Sequence, residues 1–79
     1  MIVKIDVTKC ELEIKRHALL RALERHITPD QIEATIKSGR IERFGKNNFR
    51  FVKRYKDGTV VCVDRLEGNT IIIVTIETR

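Results

Sequence analysis

Tryptophan is absent from this 79-residue chain, and three phenylalanines and one tyrosine are its only aromatic residues. Phe44, Phe49, Phe51 and Tyr55 are therefore most of the large aromatic material available for packing. They read as core before they read as base-stacking platforms. No pure aliphatic run exceeds the four residues Ile71 to Val74. A membrane span needs about 20 apolar residues and a signal peptide an apolar run of roughly 7–15, so a cytoplasmic protein is expected. Cys10 and Cys62 stand 52 positions apart with no C-x-x-C and no ligand pair nearby, which points to buried free thiols rather than zinc or a disulfide. His17 and His26 fall nearly half a turn out of phase on a helix and cannot chelate one metal together. No G-x-x-x-x-G-K-[ST], G-x-G-x-x-G or Ser/His/Asp arrangement is present, so no cofactor is expected. There is no internal repeat and no low-complexity tract.

What the chain does have is charge, unevenly placed. It is 42% hydrophobic and 34% charged, with a net charge of +5, which suits one small globular domain covering residues 1–79. Between Arg40 and Gly58 seven cations stand against Glu42 and Asp57, so this stretch carries the whole excess. A concentrated cationic segment attracts a polyanion such as RNA, or an acidic protein partner. It is also how a small domain stays soluble.

Helical signals fill the first half. Val3, Ile5 and Val7 alternate with polar residues as a short opening strand would. Thr8-x-x-Glu11 resembles a capping box, yet Cys10, Leu12 and Ile14 alternate as a strand does. A helix is expected from about Lys15 to His26, with Leu19, Leu20, Leu23 and Ile27 on its apolar face. Thr28, Pro29 and Gln31 form a T-x-x-Q start for a second helix, which runs to about Ser38, where Gly39 is suited to a left-handed stop.

From Arg40 the pattern has period two, with strands at about 41–44, 48–55, 59–66 and 70–77. The expected fold class is α+β, two N-terminal helices packed on one face of a twisted antiparallel sheet. The last strand is expected at an exposed edge, where a second copy could pair to give a homodimer.

Two constellations bear on chemistry. With Asp57-Gly58 as a two-residue turn, Phe49, Phe51, Lys53 and Tyr55 face Leu66, Asp64, Cys62 and Val60, a largely apolar side for the helices. On the other side Arg50 meets Arg65 directly, a like-charge pair that a polyanion would relieve. Arg50, Arg54 and Arg65, with Lys53 at the sheet edge, are thus candidate nucleic-acid-binding residues; the alternative is that the arginine side chains splay into water. The second constellation is on the first helix, where His17, Arg21 and Arg25 recur every four residues over an arc of about 80°. An imidazole beside guanidinium groups can move a proton and neutralise charge at a phosphodiester. A surface ladder with Glu24 is the alternative.

The segment His17-Ala18-Leu19-Leu20-Arg21-Ala22-Leu23-Glu24-Arg25-His26-Ile27 resembles an uncharacterised domain-of-unknown-function family whose hallmark is H-A-x-x-R-x-x-x-R-x-I. That family is linked to RelE/BrnT-like toxins, and the resemblance covers about residues 12–77. It implies a RelE-like arrangement of two helices on a twisted sheet, and an endoribonuclease acting on RNA, at the ribosome or elsewhere, without a metal. His17 would then serve as base or orienting residue with Arg21 and Arg25, and an antitoxin protein would be the partner. The position before Ile27, often glycine in such sequences, is His26 here. The other reading is a non-catalytic module that binds nucleic acid or protein.

Overall fold

The computed structural model describes residues 9–79. The expected opening strand at Val3 to Val7 and the Thr8 cap lie outside them. The elements run β1 (Glu11–Ile14), α1 (Arg16–Glu24), α2 (Pro29–Ser38), β2 (Arg40–Arg43), β3 (Asn48–Tyr55), β4 (Gly58–Glu67) and β5 (Thr70–Thr78). Their five strands form one sheet in the order β1-β5-β4-β3-β2. Among the described residues no helix is long and apolar enough to cross a membrane.

The sheet is mixed, which corrects the expectation of an antiparallel one. Three pairings are antiparallel, but β1 runs parallel to β5, Leu12 beside Ile71 and Ile14 beside Ile73. This addition also moves β5 off the edge: it lies between β1 and β4, so the edge pairing expected for the last strand is not available along Thr70–Ile73. The Leu12/Ile14 alternation is thus a strand, as its period suggested.

Both helices pack on one face. Ala18, Ala22, Ile27, Ile32 and Ile36 join Phe49, Phe51, Val60, Cys62, Ile71, Ile73 and Ile76 in a single core. Phe49 and Phe51 meet edge to face at 5.4 Å between centroids. The helix α1, however, does not present its leucines. Leu19, Leu20 and Leu23 are 44%, 48% and 69% exposed, while Ala18 and Ala22 are buried. At 100° per residue the leucines point about 130° away from the alanine stripe. Alanine lets the helix backbone approach a strand already filled by Ile71, Ile73 and Ile76, so the small residues win the sheet and the large ones remain outside.

The connection between the helices follows capping rules closely. Ile27 N–H bonds Ala22 O at 2.9 Å and His26 N–H bonds Leu23 O at 3.2 Å, the paired bonds of a Schellman stop with Ile27 and Ala22 as its buried contact. His26 holds the left-handed position at φ 58°, the only described non-glycine residue at positive φ. The strain there is about 1–2 kcal/mol, and the extra chain entropy of a glycine about 0.5–1. His26→Gly is therefore expected to raise stability by about 0.5–1 kcal/mol, read as a melting temperature higher by a few degrees. A lower melting temperature would show that the imidazole supports the fold. Two residues on, Thr28 Oγ1 accepts from Gln31 N at 3.2 Å and Gln31 Oε1 accepts from Thr28 N at 2.9 Å, completing the capping box read from the sequence.

At the other end of α2, Gly39 is not left-handed as expected but extended, at φ −72° and ψ 161°. Its role is space: a Cβ there would stand 2.3 Å from the Thr35 carbonyl oxygen. The β3–β4 hairpin also differs by a step. Tyr55 pairs with Gly58, so Lys56-Asp57 make the loop and Gly58, at φ 140°, opens β4. Each expected cross-strand pair slides by two residues, which keeps every side chain on its expected face.

Candidate functional site

Because register slides by two, Arg50 faces Val63 and Arg65 faces Asn48; the expected Arg50–Arg65 clash does not exist. What Arg50 meets instead is Glu42, its partner across on β2, at 3.6 Å. Glu42 also accepts from Arg40 at 2.6 Å and from Arg79 at 3.1 Å. Hydrogen bonds from Arg79 and Arg40 hold its carboxyl below the usual carboxylate range. Since Arg79 follows β5 and Glu42 is on β2, this contact reaches across β4 and β3 on the face opposite the helices. Three arginines thus share one carboxylate. Arg54, on the same face, is exposed and has no carboxylate within ion-pair reach among the described residues. Arg65 is engaged by Glu67 at 3.0 Å. The guanidinium carbon of Arg50 lies 4.3 Å over the Phe44 ring, which places that exposed aromatic beside the basic surface rather than in the core.

Lys53 is not part of this surface. It lies on the helix side, across from Val60, and its ammonium donates to Ser38 Oγ at 2.9 Å. Tyr55, on the same side, donates its hydroxyl to the Gln31 carbonyl at 2.9 Å; Thr35 Oγ1 donates to the same oxygen at 2.7 Å.

The helix-one ladder winds rather than lines up. Successive four-residue steps advance by 40°, so His17 and Arg21 lie outward and exposed while Arg25 drifts toward the alanine stripe and is half-buried. Arg21 lies 3.7 Å from Glu24, the expected surface pairing. Eight residues of helix put Arg25 about 12 Å along the axis from His17. Arg25 alone of the three reaches the sheet. There it lines a pocket of about 180 Å³ with His26, Gln31, Tyr55, Asp57 and Thr78. His17 and Arg21 lie on the outer side of α1, which covers one face of the sheet, while Arg50, Arg54 and Arg65 lie on the opposite face, and the two clusters do not form one site.

Two features of the structure carry no site signal in the sequence. One is a groove of about 480 Å³ among Leu12, Ile14, Leu19, Ile32, Ile36 and Ile71, rimmed by the Glu33–Lys37 ion pair. Leu20 and Leu23, on the same helix as Leu19, are exposed as well. The other is Asp64, 1% exposed on the helix side of β4, with neither carboxyl oxygen hydrogen-bonded. Burial pushes its pKa up to about 8. Its charge, after burial itself, adds to what raises the Cys62 thiol to about 12. Cys10 and Cys62 are both free. Among the described residues no three His, Cys, Asp or Glu side chains gather as a metal site would require.

Fold and surface together define a small α+β domain with two helices on one side of a mixed five-stranded sheet and an arginine-rich surface on the other. The chain belongs to the DUF4258 family, a domain of unknown function that matches residues 14–77. No curated protein and no solved structure matches it.

Proposed function

We propose that this protein is a RelE/BrnT-like, toxin-type domain that acts on RNA as an endoribonuclease needing no metal, in the cytoplasm. The observation that carries the reading is the sheet surface opposite the helices, where Arg54 stands exposed without an ion-pair partner among the described residues and Arg40, Arg50 and Arg79 share the carboxylate of Glu42. A partly neutralised carboxylate keeps these side chains positioned, and the remaining positive charge is available to a phosphate backbone. In this reading Arg50, Arg54 and Arg65 hold phosphates. Lys53, tied to Ser38 on the other side, takes no part unless RNA rounds the sheet edge. His17, as base or orienting residue, and Arg21 with Arg25 are the helix-one groups assigned to the cleavage step.

Binding to single-stranded RNA is expected to weaken with salt at a log–log slope of about −0.7 per phosphate contacted. Arg54→Ala is expected to lower that slope by about 0.7 with no loss of stability, since Arg54 has no partner to lose. Binding indifferent to salt sinks the assignment. Cleavage of RNA by the purified protein in EDTA, lost in His17→Ala, tests the enzymatic part. Cleavage retained there moves the chemistry off His17.

The apolar groove favours a second reading, a module that binds a protein. Arg16, His17 and Arg21 flank the exposed leucines, so the fitting occupant is an apolar segment with acidic flanks, such as an antitoxin would offer, and not a second copy with the same cations. A concentration-dependent dimer that Leu20→Glu dissolves would instead make the second copy the occupant.

A further inference from the structure

The pocket beside His26 has features that the basic surface does not account for. His26 sits at φ 58°, a left-handed position where glycine is at ease and an imidazole is strained, and among the described residues the other positive angles fall on Gly45, Gly58 and Gly68. Strain of this kind gathers at binding and catalytic sites. Here it coincides with a cavity in which Arg25 and His26 from the end of α1 meet Gln31 from α2 and Tyr55 and Asp57 from the β3–β4 hairpin. Arg25 is half-buried and forms no ion pair among the described residues. At about 180 Å³ the cavity is smaller than those that take a whole drug-sized ligand. It has room for a phosphoryl group with part of its sugar.

Position supports the same ligand. Arg54 stands one residue before Tyr55 with its side chain on the opposite face, so a strand of RNA on the arginine surface reaches the pocket by rounding this hairpin end. We propose that Arg25 and His26, with Tyr55 and Asp57 lining the wall, form a phosphate-ester subsite for RNA. This rests on the RNA reading above and adds to it a phosphate position at the hairpin end, with Arg25 about 12 Å along the helix axis from His17. Arg25 is the anion's fork and a ring N–H of His26 its second donor, with Asp57 on the hairpin side of the same pocket.

The backbone supplies a clean test, because glycine and asparagine both tolerate the His26 conformation. Binding of hexauridylate at low salt is measured for the wild type, His26→Gly, His26→Asn and Arg54→Ala, each checked by thermal melting. The expected result is affinity about fivefold to tenfold weaker in both His26 variants, with melting temperatures no lower than that of the wild type. Unchanged affinity in them, beside a loss in Arg54→Ala, overturns the subsite while the RNA reading stands. If the wild type binds no RNA, the RNA reading falls and the subsite is judged alone. Saturable shifts of the His26 ring resonances on adding inorganic phosphate, abolished by Arg25→Ala, would then uphold it; no shifts would overturn it.

Discussion

Replacing Asp64 by leucine is expected to stabilise the protein by about 3 kcal/mol at pH 7, an unusual direction for a core substitution. The carboxyl is 1% exposed and both its oxygens lack a partner. Its neighbours by register are Phe49 on β3 and Ile73 on β5, where a bulge between Val63 and Asp64 turns the strand. Nothing there repays the loss of water, so burial lifts the pKa to about 8. In the unfolded chain the same group ionises near 3.9. Between these values the unfolded state has released a proton that the folded state still holds. Stability therefore falls as pH rises from about 4 to about 8, by at most about 1.4 kcal/mol per unit, and levels off above. Leucine is close in shape and has nothing to ionise, which is why removal gains rather than costs.

Urea denaturation at pH 5, 6, 7 and 8 separates the effects. The wild type should lose stability steadily across that range, whereas Asp64→Asn should show little of the slope while keeping a buried polar group. Cys62, with its thiol pushed up to about 12, stays protonated throughout and does not interfere. A flat wild-type profile would mean that the carboxyl is solvated in solution. A destabilised leucine variant would mean that the bulge accommodates only a polar side chain.

The strands were legible because their signal is local. Alternation from Arg40 onward places all four within a residue of their observed ends, and the T-x-x-Q start at Thr28 places α2 on its first residue. Sheet register is not local. It turned on whether Gly58 sits inside the hairpin loop or after it, a choice of one backbone angle. The slide of two residues left Arg50 on its expected face but exchanged Arg65 for Val63 as its neighbour. Pairing of β1 with β5 joins residues about 60 apart, and no pattern in either segment announces it. On α1 the apolar count favoured leucine, while packing favoured the small residues Ala18 and Ala22. Inward parity put Asp64 between Cys62 and Leu66, so its burial was readable there; its lack of any partner was not. His26 was visible as a residue in a position suited to glycine, and only the backbone angle shows the strain it bears.

Gly39→Ala is the other substitution with a large expected effect, a loss of about 3 kcal/mol, and the comparison with Gly68 shows why. Gly68 lies at φ 57° with open space around a Cβ, so alanine there meets no atom and incurs only strain of about 1–2 kcal/mol. At Gly39 the case is reversed. Its φ of −72° suits any residue, and on conformational grounds alone alanine would stabilise by about 0.4–1 kcal/mol through the unfolded chain. Contact decides against it. The new Cβ would stand 2.3 Å from Thr35 O and 3.0 Å from Val52 O, both of them backbone atoms without a rotamer to change. Gly39 is the sole residue between Ser38, the end of α2, and Arg40, the start of β2, and its N–H bonds the same Thr35 oxygen at 2.9 Å. Relief therefore requires the last turn of α2 to open or β2 to shift against Val52. Forced repacking of this kind costs about 1–3 kcal/mol or more, which exceeds the entropic gain. For a chain of this length a fall of more than about 10 °C in melting temperature is the expected reading. The same shift would carry Glu42 away from Arg50 and Arg79, so the proposed RNA binding, if present in the wild type, should change its salt dependence with it. An alanine variant that melts at or above the wild type would show that α2 and β2 are joined more loosely than the contacts at Gly39 require.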